Sequence, residues 1–254
     1  MLTLIPLSGI PLIRQGDNLA DIVLNALQAN HLAIEENDIL VFAQKIVSKA
    51  EGRVVNLATV RPSQGAFELA AQTAKDPRFV ELVLQESNEI LRTRPGTIIV
   101  EHKLGFVCAN AGIDHSNVAG AGTSTEEWVL LLPAEPDRSA ELICTEIEIK
   151  TGKQVGVLII DSHGRAWRNG TVGVAIGVAG LPGLQDLRGQ PDLFGFTLRI
   201  TQVGVADELA AAASLAMGQA AEGTPVVHVR GFPYSLREGS LKELIRPREQ
   251  DLFR

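Results

Sequence analysis

The chain has 254 residues, 45% of them hydrophobic and 4% aromatic, and its 30 acidic and 23 basic residues give a net charge of −7. This acidic balance argues against a nucleic-acid surface, which needs an excess of Lys and Arg. No apolar run approaches the roughly 20 residues that cross a bilayer. We therefore expect no membrane partner. Because Cys108 and Cys144 both lie in apolar stretches, we expect buried thiols in a reducing compartment, the cytoplasm.

The first part of the chain predicts helices around one buried strand. Apolar residues recur with helical spacing after Asp17, which we expect to cap that helix. Residues 38–43, Asp-Ile-Leu-Val-Phe-Ala, form a short apolar run that is typical of a buried strand. A helical region is predicted over 67–92, with Asp76 and Pro77 restarting it as cap and first-turn proline.

The later part predicts more strands. Short apolar runs alternate with glycine-rich loops over 97–132, as in strands and their connections. The remaining predicted elements are a helix over 139–150 closed by Gly152, a strand over 155–160 ending on Asp161, a bulged glycine-rich strand over 170–180, a helix from its cap Asp207 to Met217, and a strand over 226–229.

These elements predict a mixed α/β or α+β fold in a single domain over 1–254, with a second lobe inserted at about 93–195. A P-loop is disfavoured, because the Gly152-Lys153 pair is followed by Gln154 and has Ile147 where the earlier glycine belongs. A nucleotide must therefore be bound in another way.

Two aspartates follow apolar strands and are the strongest chemical signal. Asp114 lies in a polar loop after one strand, and Asp161 follows another. Two oxygen ligands held by rigid elements suit a hard cation such as Mg²⁺ or Mn²⁺, which completes its shell with waters and phosphate oxygens. The alternative is that these aspartates only form turns. Zinc is disfavoured because the histidines are dispersed, although His115 and His163 are placed to line the same site.

Basic residues also follow two predicted strands, the one over 38–43 and the one that ends on Asp161. Lys45 and Lys49 are four residues apart, so one helical turn places both on one face, where they can hold two phosphates. Arg53 follows them, and Arg165 and Arg168 follow Asp161. A solvated charged face is the competing interpretation of this pattern.

No protein nucleophile is evident, since the chain has no G-x-S-x-G motif and neither cysteine has an activating neighbour in sequence. This absence suits a reaction in which the carboxylate of a substrate attacks the γ-phosphate of a nucleotide. The protein then mainly positions reactants and neutralises charge.

Three long motifs together resemble the coenzyme F420-0:L-glutamate ligase family. They are Gln-Lys-Ile-Val-Ser-Lys-Ala-Glu-Gly-Arg (44–53), Ala-Asn-Ala-Gly-Ile-Asp-His-Ser-Asn (109–117) and Asp-Ser-His-Gly-Arg-Ala-Trp-Arg-Asn-Gly (161–170). The likeness extends through 175–180 and 217–231, and covers the chain from about Ile5 to Arg230.

The resemblance implies a GTP-dependent ligase that adds L-glutamate, and then further gamma-linked glutamates, to the deazaflavin precursor F420-0 through an acyl phosphate. It implies two divalent ions, Mg²⁺ or Mn²⁺, together with a monovalent cation such as K⁺. It also implies two interlocked lobes and an intertwined homodimer.

By the same resemblance, Asp114 and Asp161 are the catalytic residues and bind metal. The implied metal ligands are Asp114, Asp161, Ser162 and Gln219. The implied GTP contacts are Ile10, Pro11, Leu12, Ile13, Gln44, Lys45, Lys49, Asn117, Met217, Gly218, Gln219, Ala220, Ala221, Glu222, Gly223 and Thr224. Two alternatives stay open: a related amide ligase with another acceptor, and a non-catalytic module that binds GTP or metal.

Overall fold

The computed structural model describes residues 1–118 and 127–252. The helices are α1 (Leu19–Ala29), α2 (Gln44–Ala50), α3 (Gln64–Thr73), α4 (Pro77–Gln85), α5 (Pro136–Thr151) and α6 (Val205–Met217). The strands are β1 (Thr3–Pro6), β2 (Asp38–Ala43), β3 (Val54–Asn56), β4 (Ser87–Arg94), β5 (Thr97–His102), β6 (Val107–Ala109), β7 (Trp128–Leu130), β8 (Val155–Arg165), β9 (Arg168–Ala179), β10 (Gln185–Asp186), β11 (Gln202–Val203) and β12 (Val226–Arg230). This composition confirms the predicted mixed α/β class.

The main sheet has five strands in the order β1-β12-β2-β8-β9. Strands β2 and β8 are parallel neighbours, and the other pairs are antiparallel. Alternate residues of β2 enter two different cores: Leu40 and Phe42 pack with α1 and α5, whereas Ile39 and Val41 pack with α6. Helices therefore cover both faces, which explains why β2 is a continuous apolar run. The carboxyl ends of β2 and β8 meet at one edge of the sheet.

Glycines in β9 let two helices approach the sheet closely. A Cβ atom added to Gly173 would lie 2.4 Å from Cβ of Ser214 in α6, and one added to Gly177 would lie 2.5 Å from the carbonyl oxygen of Pro136 in α5. The β8–β9 pairing also shifts register between Ile159 and Ile160. These features confirm the predicted close-packed, bulged strand.

A third apolar cluster is formed by residues between Leu57 and Leu131, from α3, α4 and the strands β4-β5-β6. Arg53 joins it to the main sheet region, because its Nη2 atom donates to Oε2 of Glu86 at 2.6 Å and its Nε atom to the carbonyl oxygen of Leu132 at 2.9 Å. Strands β8 and β9 fall inside the range 93–195 of the predicted lobe and belong to the main sheet. The inserted lobe itself stays a prediction.

The predicted caps were partly wrong. Asp76 does cap α4, where its side chain accepts from the backbone of Arg78, and Gly152 ends α5 with a left-handed φ of 66°. The cap of α1 is Asn18 and not Asp17. Asp207 lies in the first turn of α6, after the cap Gly204, and accepts instead from the backbone N–H of Ala175 at 2.9 Å. The Asp207 carboxylate is therefore used in a hydrogen bond with β9 and not as the cap of α6.

Two predicted element ends also differ. The helical region predicted over 67–92 ends at Gln85, because residues from Ser87 onward pair with β5 as an irregular strand with two register shifts. Strand β8 does not end at Asp161 but continues to Arg165 as a hairpin with β9. In the described part of the chain, no helix is long and apolar enough to cross a membrane.

Candidate active site

A cavity of about 590 Å³ opens at the edge of the sheet where β2 and β8 end. All the residues predicted to bind metal or GTP line it. They are Ile10, Pro11, Leu12, Ile13, Gln44, Lys45, Lys49, Asp114, Asn117, Asp161, Ser162, Met217, Gly218, Gln219, Ala220, Ala221, Glu222, Gly223 and Thr224. The three motifs recognised in the sequence thus meet at one place, although their roles there stay predictions.

The backbone of Asp114 is fixed by an irregular segment after β6. Asn110 and Ala111 both adopt left-handed conformations, with φ of 52° and 53°, which redirect the chain. Asp114 then forms an isolated bridge with Leu130, in which the N–H of each residue donates to the carbonyl of the other at 2.9–3.0 Å. Asp114 is therefore held by a bridge to β7.

The side chain of Asp114 is shared between an amide and an ammonium group. Nε2 of Gln44 donates to its Oδ2 atom at 2.8 Å, and Nζ of Lys45 lies 3.4 Å from the same oxygen. Oγ of Ser48 in turn donates to Oε1 of Gln44 at 2.9 Å, so the amide is held from both sides. Burial, together with the negative charge of Asp161, raises the pKa of Asp114 to about 6.

Asp161 is the first residue of β8 after the buried part of the strand, Val155–Ile160. Nε2 of His163 lies 3.0 Å from Oδ2 of Asp161, as a close polar contact outside hydrogen-bond geometry. The imidazole also packs against Phe106, with ring centroids 5.2 Å apart. Both acidic and imidazole side chains are only 11% exposed. His163 therefore limits the positions that the Asp161 carboxylate can adopt.

Ser162 and Gln219 form a connected polar pair beside these carboxylates. Oγ of Ser162 donates to Oε1 of Gln219 at 2.8 Å, and Nε2 of Gln219 donates to Oγ of Ser214 at 2.8 Å. These two hydrogen bonds orient the side-chain oxygen Oε1 of Gln219 toward β8. This geometry supports the prediction that the two residues act together.

The two lysines lie on the same side of α2, which begins directly after β2. Nζ of Lys45 donates to Oγ of Ser116 at 2.8 Å, and Nζ of Lys49 donates to the carbonyl oxygen of Asn117 at 2.6 Å. Burial and the neighbouring charge of Lys45 lower the pKa of Lys49. Two partly desolvated ammonium groups in one cavity favour an anionic occupant and disfavour the alternative of a solvated face.

The loop after α6 forms another wall. Gly218 has a φ of 76°, and its conformation brings the Glu222 carboxylate back to accept from the N–H of Ala220 at 2.8 Å. Nδ2 of Asn117 donates to the carbonyl oxygen of Ala220 at 3.2 Å, so the Asp114 loop and this loop close together. Across the cavity Leu12 is 84% exposed, which leaves an apolar side chain free to contact a ligand.

The donor set fits a hard divalent ion that keeps part of its own shell. Asp114 and Asp161 repel each other, and their site also holds the oxygens of Ser162 and Gln219. Among the described residues, no group of three or more His, Cys, Asp or Glu side chains could hold a metal. The chain thus supplies two carboxylates and neutral oxygens, as Mg²⁺ and Mn²⁺ sites completed by phosphate and water do.

Some predicted or suspected residues lie elsewhere. His115 is exposed and stacks on Phe79 at 5.1 Å between ring centroids, so it does not line the cavity. Arg53 is committed to Glu86. Both cysteines are buried, and burial raises the pKa of each thiol to about 12. This confirms that neither is an activated nucleophile.

Besides Ser116, which lies inside a recognised motif, sequence reasoning missed two hydroxyl residues of the cavity, Thr171 and Ser214. Ser214 had a detectable signal, because it is a polar residue on the buried side of an otherwise alanine-rich helix. Thr171 had none, since only the cross-strand register of β8 and β9 places it opposite Gly164.

Comparison with known proteins agrees with the family resemblance seen in the sequence motifs. Residues 9–231 match the family model described as F420-0:Gamma-glutamyl ligase. The coenzyme F420:L-glutamate ligase of Methanothermobacter thermautotrophicus is 48% identical over 255 aligned positions, covering 100% of this chain and 99% of that protein. Proteins with the same name from Methanocaldococcus jannaschii (46% identity; 96% and 94% covered) and Archaeoglobus fulgidus (44%; 98% and 95% covered) are also similar.

Proposed function

The chain belongs to the F420-0:gamma-glutamyl ligase family, and we propose that it joins L-glutamate to F420-0 at the expense of GTP. The observation that carries this proposal is the convergence of Asp114, Asp161 and two lysines on one cavity. Carboxylates that need a cation, beside ammonium groups that need an anion, suit a metal–nucleotide complex.

The reaction proceeds in two steps. The carboxylate of F420-0 attacks the γ-phosphorus of GTP, GDP leaves, and an acyl phosphate forms. The amine of glutamate then attacks the acyl carbon, phosphate leaves, and the amine releases a proton. Because the substrate itself is the nucleophile, the protein needs no activated Ser or Cys, in agreement with the inert cysteines.

The lysines hold the transferred phosphate. Lys45 and Lys49 exchange their present oxygen partners on Ser116 and Asn117 for phosphate oxygens, which carry more charge. The Ile10–Ile13 turn and the 217–224 loop enclose the rest of GTP. Gln44 is engaged by Asp114 and Ser48, so we assign it chiefly to orienting Asp114.

Two divalent ions, Mg²⁺ or Mn²⁺, would be held by Asp114, Asp161, Ser162 and Gln219. When bound, such ions neutralise the charge that develops on the phosphate oxygens. His163 limits the motion of Asp161, and Ser214 orients Gln219. A monovalent cation such as K⁺ belongs to the same proposal.

The proposal includes a homodimer of interlocked lobes. It is supported by an arm at 185–203, made of β10, β11 and the turn between them, which is hydrogen bonded mainly to itself. The exposed apolar side chains of this arm are Leu193 (91%), Phe194 (92%), Phe196 (57%) and Ile200 (88%). Such a patch is unusual on a monomer. Light scattering should give twice the mass of one chain for wild type, and Phe194→Asp should shift it toward one.

Mass spectrometry of the ligation reaction tests the function. Purified protein with GTP, Mg²⁺ or Mn²⁺, glutamate and F420-0 should yield GDP and a product heavier by one or more glutamyl units. A product only with another acceptor or amino acid would identify a related amide ligase. Binding of GTP without any product would identify a non-catalytic module.

A further inference from the structure

The hairpin of β8 and β9 projects beyond the main sheet and carries a tip that none of the assigned roles uses. The first six residues of β8, Val155–Ile160, are buried, and Arg165 at its end is exposed. Ser162, His163, Gly164 and Thr171 line the cavity, so the hairpin runs outward from its mouth. The turn at the tip consists of Ala166 and Trp167, between the cross-strand pair Arg165 and Arg168.

Three features of this tip are expected to lower the stability of the folded chain. Trp167 is 88% exposed. It also adopts a left-handed φ of 63°, which is rare for a bulky side chain. Arg165 and Arg168 are like charges placed opposite each other, and they form no ion pair with the described residues. Strain and exposure concentrated beside a cavity indicate a ligand-binding role.

The chemistry of the tip specifies the ligand. An indole offers a large planar face for stacking, and guanidinium groups both stack and bind carboxylate or phosphate oxygens. A deazaflavin is a planar fused-ring system, and the acceptor carries an anionic end. We propose that Arg165, Trp167 and Arg168 form the subsite for the ring end of the deazaflavin acceptor. This inference rests on the proposed function.

The geometry of the hairpin allows both ends of such a ligand to be held. Arg165 ends β8 four residues after Asp161, about 13 Å along an extended strand, and the Ala166–Trp167 turn follows it directly. The acceptor therefore lies along the hairpin, with its carboxylate at Asp114 and Asp161 and its rings at Trp167. Gly164 and Gly170 leave open space where a side chain would project. None of the predicted GTP contacts lies on this hairpin.

The two tryptophans of the chain, Trp128 and Trp167, allow binding to be measured without turnover. In Trp128→Phe, the remaining indole emission comes from Trp167. Titration with F420-0 should quench this emission saturably, whereas titration with GTP and Mg²⁺ alone should not. The Trp167→Ala and Arg165→Gln/Arg168→Gln variants should raise the KM for F420-0 by about tenfold or more, because stacking and ionic contacts are lost. Their KM for GTP should change less than twofold.

Two controls separate the possible outcomes. Trp167→Phe should keep most of the affinity, because it retains an aromatic face, and Arg138→Gln should behave as wild type, since Arg138 is an exposed arginine on α5. Saturable quenching in a protein that fails to ligate would support this subsite and overturn the proposed function. Ligation with an unchanged KM in Trp167→Ala, or without quenching of Trp167, would overturn the subsite. Loss of dimer mass in Trp167→Ala with an unchanged KM would likewise overturn it and assign the tip to a second copy.

Discussion

Two carboxylate sites lie at opposite ends of β2 and are neutralised in opposite ways. Asp38 begins the strand, is 1% exposed, and accepts from Nε2 of His228 at 2.8 Å and from Nε and Nη2 of Arg230 at 2.9 and 2.8 Å. Burial alone would raise its pKa, but the hydrogen bonds from Arg230 and His228 outweigh burial, so the pKa lies below its usual value. At the far end, the pKa of Asp114 is raised to about 6.

The difference separates a structural carboxylate from one that we propose to be functional. At the Asp38 end the fold supplies both the cation and the hydrogen bonds, and the site is complete. At the Asp114 end, Lys45 is shared with Ser116, and Asp161 adds a second negative charge. A pair of carboxylates left short of positive charge by the fold is suited to receive a cation from solution.

Replacing either cavity carboxylate is expected to have the largest effect. Asp161→Asn and Asp114→Asn should each lower ligation at least about 1000-fold, because the charge that binds the metal and offsets the transferred phosphate is lost. Their melting temperatures without metal should be equal to or above that of wild type, because carboxylate repulsion is relieved. Steady-state kinetics and thermal unfolding measure both quantities.

Asp186→Asn is the matched control, since that exposed carboxylate pairs with Arg188 on the arm. It should leave kcat unchanged. A cavity variant that melts well below wild type would show that Asp114 or Asp161 is structural, and would remove the distinction between the two ends of β2.

The opposite behaviour is expected of Asp38. Asp38→Asn should lower the free energy of unfolding by about 2–3 kcal/mol, because the buried carboxylate loses its charge-assisted hydrogen bonds with Arg230 and His228, while Glu35 still pairs with Arg230. The fraction that remains folded should ligate with a kcat within about twofold of wild type. Urea unfolding and active-site titration test this, and a lower kcat in fully folded protein would contradict it.

The comparison also shows what sequence alone could reveal. Residues 38–43 were predicted as a buried strand because an apolar run of that length is typical of one. The pairing of Asp38 with His228 and Arg230 could not be predicted, since about 190 residues separate them and only the β2–β12 register brings them together. Local sequence patterns predict helices and strands, but they do not predict which distant residues will contact each other.

The same limit applied at the cavity. Asp114 and Asp161 were recognised as strand-associated carboxylates, and family motifs suggested that they act together. Their proximity, and the orienting contacts from Gln44 and Ser214, needed the fold. The continuation of β8 past Asp161 was missed because His163, Gly164 and Arg165 resemble a turn more than an apolar strand.

The pH dependence of stability tests whether burial keeps the imidazole of His102 neutral. This imidazole is 2% exposed, and burial, followed by the charge of Arg53, lowers its pKa to about 4. An unfolded His titrates near 6.5, so the unfolded state gains its proton first as pH falls. Stability is therefore complete above about pH 6.5 and is lost as pH falls toward 4, by on the order of 2–3 kcal/mol.

His102→Gln should flatten this part of the stability curve, which is measured by urea unfolding from pH 7 to 4. The exposed His31 is the control, and His31→Gln should follow wild type across the range. If the His102→Gln curve instead runs parallel to that of wild type, the imidazole is not held neutral by burial.

The smallest effect is expected at the lysines. Lys45→Met and Lys49→Met should each weaken GTP binding by about tenfold, near 1.4 kcal/mol, because each removes one phosphate contact but leaves the metal ligands. Lys75→Met is the control, since Lys75 lies over the ring of Phe79 at 4.8 Å and does not line the cavity. Calorimetric titration with GTP in the presence of Mg²⁺ gives the affinities. Equal affinities in all three variants would place the phosphates elsewhere.

The most direct test of the functional carboxylate pair is a titration of the protein with Mn²⁺, followed by electron paramagnetic resonance in the presence of GTP. Wild type and Asp38→Asn should bind up to two ions per folded chain, and Asp161→Asn should lose at least one of them. Equal binding by wild type and Asp161→Asn, or no binding to wild type, would contradict the account.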